Sequence, residues 1–123
     1  MMGGKRFFAA AGSLIAASLV SPAFAADAVH GKELFTACLA CHTEAPDAPG
    51  PSLKGVVGRK AGSLEDFRYS AAMMRSNIVW NEENLRDYLR TPQAVVKGNH
   101  MPFSGFTNPA DADDVVAYLR AYR

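Results

Sequence analysis

Polar and apolar positions divide this chain into one uninterrupted apolar run near its start and several shorter periodic stretches after it. The run spans Phe7 to Val20 without a charge. The first periodic stretch predicts a helix from about Ala28 to Ala37, with Asp27 as its N-cap and Gly31 and Phe35 four apart on one face. From Thr43 to Gly62 the periodicity is lost among three prolines and four glycines, which predicts a long loop. A loop of that length is uncommon in a compact domain unless it wraps around something. A short helix is expected after Ser70, over Ala71 to Arg75. Another begins after Asn81, places Glu82 and Glu83 in its first turn where the helix dipole favours acids, buries Leu85, Tyr88 and Leu89, and stops before Pro92. The last starts with Asn108 and Pro109, continues through Asp111, Asp113 and Asp114, and aligns Val115, Leu119 and Tyr122 before Arg120 and Arg123. No stretch alternates with period two. The fold class is all-α, about four helices with long loops.

The apolar run changes what counts as the domain. Lys5 and Arg6 precede it, and Ala23-Phe24-Ala25 places small residues at the two positions read by a signal peptidase. The run is shorter than the roughly 20 residues of a spanning helix, and Pro22 interrupts the chain just beyond it. Residues 1–25 are therefore expected to be a cleaved signal peptide and residues 26–123 the mature domain. Two of the thirteen basic residues lie in the leader, so eleven face twelve acids and the mature balance is −1. That excludes nucleic-acid binding on electrostatic grounds, and no later segment is apolar enough to enter a membrane. Small exported domains often rely on several disulfides. This one has two cysteines, three positions apart, so something else must complete its core.

Those cysteines stand in Cys38-Leu39-Ala40-Cys41-His42, which fits C-x-x-C-H, the attachment pattern of a c-type haem. Two thiols in one helical turn can reach the two vinyl groups on one edge of a porphyrin, and the following histidine can ligate the iron. A thioredoxin-like dithiol would need a strand–helix sheet context, and structural zinc would need four ligands, whereas only His30 and His100 remain. A flat apolar macrocycle would also supply the missing core. The second axial ligand decides between electron transfer and gas or peroxide chemistry. Its candidates are Met73, Met74, Met101, His30, His100 and Lys97. Met73 and Met74 read as core filler on a helix, whereas Met101 sits in "KGNHMPFSGF", a loop with Gly98, Pro102 and Gly105. His30 and His100 read as surface residues.

Beyond the haem motif, "GPSLKGVVGRKAG", "FRYS", Trp80, "EENLRDYLRTPQ", "GNHMPFSGF" and "DDVVAYL" occur in one order over nearly the whole mature chain. Together they resemble the class I c-type cytochromes of mitochondria and the bacterial periplasm. The resemblance implies a small cytochrome c fold wrapped around one haem bound covalently by Cys38 and Cys41, with His42 as proximal and Met101 as distal ligand. It implies that the Pro51 carbonyl holds the other ring nitrogen of His42, that Arg59, Tyr69 and Trp80 surround the inner haem propionate, and that Tyr88 lies near the distal sulfur. It also implies that Gly31 and Phe35 lie where the first helix crosses the last, at Val115 and Tyr118.

The function implied is that of a soluble periplasmic electron carrier, not an enzyme. It would pass single electrons through a haem edge near Phe103 and the cysteine motif, act as a monomer, and meet larger redox proteins transiently. Two alternatives stand beside it: a haem subunit of a periplasmic dehydrogenase, with the same chemistry but a fixed partner, or a gas-binding or peroxidatic protein with a labile distal ligand. One departure from many relatives bears on partners. Lysine remains in the mature chain only at positions 32, 54, 60 and 97, and His100 precedes Met101. With two propionates the balance falls to about −3, which speaks against strong steering toward acidic partners.

Overall fold

The structure is a computed structural model and describes residues 2–17 and 25–123. Residues 2–17 are exposed and carry no helix, and most of the expected cleavage motif lies outside the described residues. The rest folds as five helices: α1 (Ala28–Phe35), α2 (Ala71–Arg75), α3 (Glu82–Arg90), α4 (Pro92–Val95) and α5 (Pro109–Leu119). Each of the four anticipated helices starts at its anticipated cap. Asp27 accepts from the N–H groups of Val29 and His30, Ser70 from Met73, Asn81 from Asn84, and Asn108 from Ala110. These side chains satisfy donors that have no partner inside the helix.

Two boundaries differ from expectation. Helix α1 ends at Phe35, two residues early, because the chain tightens there into i→i+3 bonds and a 3₁₀ turn over Cys38–Ala40. The extra helix, α4, begins at the proline expected to act only as a stop. Pro92 ends α3 but occupies the first position of a new turn, where its missing N–H costs nothing.

Helices α1 and α5 cross at the centre of the core. A Cβ on Gly31 would stand 1.9 Å from the Asp114 carbonyl oxygen, so only glycine permits this approach. Beside it Phe35, Val115 and Val116 are fully buried, and the Phe35 ring meets Tyr118 and Tyr122 at centroid distances of 5.1 and 5.0 Å. Such tilted aromatic pairs add to the burial itself. His30, on the surface as expected, also joins the two helices: its Nδ1 lies 2.8 Å from Asp114 Oδ2. The other Asp114 oxygen accepts the Asp27 N–H at 2.7 Å.

The long loop is fixed by backbone pairing. Gly58 N–H donates to the Trp80 carbonyl at 2.7 Å, Trp80 N–H to Arg59 at 2.8 Å, and Ala61 N–H to Ile78 at 2.8 Å. This isolated bridge sets Arg59 beside Trp80, and no strand forms elsewhere among the described residues. Among those residues, no helix is long and apolar enough to cross a membrane.

Candidate functional site

The cysteine segment is a single turn. Cys41 and His42 N–H both donate to the Cys38 carbonyl, at 3.1 and 2.9 Å, so the two thiols and the imidazole belong to one local unit. Both thiols are half-buried and form no disulfide. Burial, with a smaller contribution from Cys41, pushes the Cys38 pKa above its ordinary value. A working redox dithiol needs the opposite, a stabilised thiolate.

His42 is held by the loop after it. Its Nδ1 lies 2.7 Å from the Pro51 carbonyl oxygen. A carbonyl only accepts, so Nδ1 carries the proton and Nε2 keeps its lone pair. Burial, opposed by the Pro51 hydrogen bond, holds the His42 pKa below its ordinary value, so the ring stays neutral, as a ligand must. Gly50 closes the arrangement. A Cβ there would lie 2.7 Å from both Cε1 and Nδ1 of the ring, and Gly50 N–H is tied to the Cys41 carbonyl at 2.9 Å.

A cleft of about 360 Å³ opens between this segment and the Met101 loop. Cys38, Cys41, His42, Pro51, Arg59, Tyr69, Trp80, Tyr88 and Met101 all line it. Met73 and His100 reach it as well, while His30, Lys97 and Met74 do not. Met74, expected as core filler, is 57% exposed. Consecutive helical residues point about 100° apart, so of Met73 and Met74 only one can face inward.

The Met101 loop is fastened by Asn99, a residue the sequence reading did not single out. Asn99 is buried; its amide donates to the Pro92 and Val96 carbonyls at 3.1 and 2.9 Å, and its oxygen accepts the Met101 N–H at 2.9 Å. Near the far end of the loop, Gly105 has φ +104°, and a Cβ there would meet the Arg90 carbonyl oxygen at 1.9 Å. Across the cleft, Arg59 donates to the Ser52 carbonyl at 2.7 Å and to that of Lys54 at 3.3 Å. Burial lowers the Arg59 pKa, so its remaining N–H groups favour an anion. The Tyr69 hydroxyl oxygen accepts the Leu64 N–H at 3.3 Å, which leaves its proton to donate. The Trp80 and Tyr88 rings meet tilted at 53° with centroids 4.9 Å apart, and burial pushes the Tyr88 pKa up to about 12, so its hydroxyl remains a neutral donor.

These residues fit a c-type haem. Two thiols three positions apart share a wall with a neutral imidazole whose Nε2 is available, the lining is largely apolar, and a partly desolvated guanidinium waits for a carboxylate. The cleft volume lies within the usual span of cofactor sites, about 300–1,000 Å³.

Comparison with known proteins agrees. The sequence model of the Cytochrome c family matches residues 28–122. The cytochrome c2 of Blastochloris viridis is 40% identical over 114 residues, covering 90% of each chain. That of Rhodomicrobium vannielii is 44% identical over 113 residues, covering 87% of this chain and 90% of its own. Among solved structures, cytochrome cH from Methylobacterium extorquens superposes with a TM-score of 0.72 at 39% identity, covering 76% of this chain and 97% of that one. The chain belongs to the class I c-type cytochromes, as an electron carrier with one haem c bound covalently at its Cys38 and Cys41 motif.

Proposed function

We propose that residues 1–25 direct export and are removed, and that residues 26–123 act in the bacterial periplasm as a monomeric one-electron shuttle between larger redox proteins. In this reading His42 and Met101 would hold the haem iron, and the protein performs no bond chemistry on a substrate. The observation that carries it is the fastening of the Met101 loop by Asn99 across the cleft from a neutral, carbonyl-held His42.

The haem supplies a reversible one-electron iron couple. The chain supplies everything else. Cys38 and Cys41 anchor the group, and the Pro51 carbonyl keeps His42 in one tautomer and raises its basicity. Met101 offers a soft thioether, which favours the ferrous state and a relatively high potential. Arg59, Tyr69 and Trp80 provide donors for a buried carboxylate, while Leu85, Tyr88 and Leu89 exclude water. Because Asn99 and Gly50 fix both ligand-bearing segments, little rearranges when the charge changes, which suits transfer through an exposed edge near Phe103.

Carbon monoxide distinguishes this reading from a gas-binding or peroxidatic protein. A carrier with both axial positions filled by protein binds the gas poorly in its ferrous form at neutral pH. Rapid, stoichiometric uptake by the ferrous holoprotein would contradict it.

A further inference from the structure

The first turns of α5 face the start of α1 with more negative charge than the neighbouring side chains neutralise. A polar depression of about 430 Å³ lies there, lined by Ala25 and Ala26 from the chain entering α1, Arg86 and Arg90 from α3, and Asp113 and Asp114 from α5. Asp113 meets both guanidinium groups through one oxygen, Oδ1, with Arg86 Nε at 3.2 Å and Arg90 Nη2 at 3.1 Å. Its Oδ2 is left for a further donor. Asp114 is engaged by the Asp27 N–H and by His30.

One more carboxylate crowds the same place. That of Asp111 lies within 4.8 Å of the ligand atoms of His30 and Asp114. Three carboxylates therefore gather beside two guanidinium groups and one imidazole, and Arg86 is shared with Glu82 at 3.7 Å. Both guanidinium groups bind Asp113, so Asp111 and Asp114 face no permanent cation, only the His30 imidazole. Ala26 is the group best placed to provide one, because its nitrogen is a single residue, at most about 3.3–3.6 Å of chain, from the Asp27 N–H already fixed on Asp114.

We propose that the α-ammonium group created at Ala26 by removal of the leader is that cation: it docks against Asp113 and Asp114 and locks the start of α1 onto α5. The proposal rests on the reading that cleavage follows Ala25. In the full chain the Ala26 nitrogen is an uncharged amide. Hydrolysis adds the hydroxyl of water to the Ala25 carbonyl carbon and its proton to the Ala26 nitrogen. The amine then takes a second proton from solvent, and the new Ala25 carboxyl releases one. Processing thus changes the charge at the α1–α5 crossing from an acidic surplus to near balance, and export would tighten the same frame that shapes the haem cleft.

The test uses holoprotein exported from cells, with its first residue read from the intact mass. The α-amine is dimethylated with ¹³C-formaldehyde, which preserves its charge, and titrated by NMR. Its pKa should lie about one unit, a tenfold change in proton affinity, above the ordinary range of about 7.7–8.0, and D113N should bring it back toward that range. A value inside the ordinary range overturns the docking. As a second measure, holoprotein whose Ala26 α-amine is acetylated, and so uncharged, should melt at a lower temperature than the unmodified protein at pH 7. That gap should close above about pH 10, where the free amine is neutral as well. Equal melting temperatures at pH 7 also overturn the docking. An exported protein with a different first residue overturns the cleavage reading instead, and holoprotein released from a fusion so as to begin at Ala26 then decides the docking on its own.

Discussion

Gly50→Ala tests how the proximal histidine is held. The added methyl carbon would sit 2.7 Å from Cε1 and Nδ1 of His42 and 3.1 Å from Nε2. Carbon–carbon contact becomes favourable only at about 3.5 Å, so the ring must retreat by roughly 0.8 Å. Such a shift stretches the 2.7 Å bond to the Pro51 carbonyl to the edge of hydrogen-bonding distance. Losing that bond costs about 0.5–1.5 kcal/mol. Forcing the ring off its preferred rotamer costs a similar amount, about 0.5–1.5 kcal/mol. The holoprotein should therefore lose roughly 1–3 kcal/mol in denaturant unfolding. The potential should also move. A carbonyl on Nδ1 makes the imidazole a stronger donor and favours ferric iron, so its loss raises the potential. With tenfold in equilibrium equal to about 59 mV for one electron, the hydrogen-bond contribution alone corresponds to a rise on the order of 20–60 mV. Redox titration and urea unfolding of the two proteins read both effects. A variant with unchanged potential and unchanged midpoint would refute the claim that Gly50 and Pro51 hold the ring.

Three further outcomes follow from the packing. Gly31→Ala places a methyl carbon 1.9 Å from the Asp114 carbonyl oxygen and 2.5 Å from its carbon, both backbone atoms, so α1 and α5 must separate. The variant should lose about 1–3 kcal/mol or more in denaturant unfolding, and wild-type stability would count against the close crossing. Asn99→Ala removes the acceptor for Met101 N–H and two donors from a buried position; it should cost about 1–3 kcal/mol and speed carbon monoxide uptake by the ferrous form, and unchanged uptake would show that Asn99 does not restrain the loop. The His30–Asp114 pair makes stability depend on pH. The pair's hydrogen bond is the main cause that raises the His30 pKa above 6.5 and lowers that of Asp114 below 3.8. The Asp114 contribution is present above 3.8 and lost as pH falls through its lowered folded value; that of His30 is complete below 6.5 and lost as pH rises through its raised folded value. The melting temperature of His30→Gln should thus fall furthest behind wild type near pH 5 and recover most of the gap by pH 9, and a gap independent of pH would refute the pairing.

What could be read before the fold was known divides along physical lines. Caps are local, so Asp27, Ser70, Asn81 and Asn108 marked all four anticipated helix starts. Helix α4 escaped notice because a proline that ends one helix can also begin the next, and four residues carry no periodicity. Cys38, Cys41 and His42 were legible from spacing alone, since one turn brings them together whatever surrounds it. Pro51, Arg59, Tyr69, Trp80 and Tyr88 were reached only through family resemblance, because nothing local in the chain links them to the cleft. His30 is on the surface as expected, but its pairing with Asp114 was not foreseen for the same reason: the partner lies 84 residues away. Asn99 left one trace, a polar residue in the Met101 loop. Its burial depends on the Pro92 and Val96 carbonyls of a helix that was not foreseen.

The proposed electron carrier requires that both His42 and Met101 would hold the haem iron. The visible absorption spectrum of the ferric holoprotein tests it most directly, through the weak sulfur-to-iron charge-transfer band. The account predicts that the band is present at neutral pH and that Met101→Ala abolishes it while lowering the potential. Absence of the band in the wild type, or a Met101→Ala variant with unaltered spectrum and potential, would contradict it.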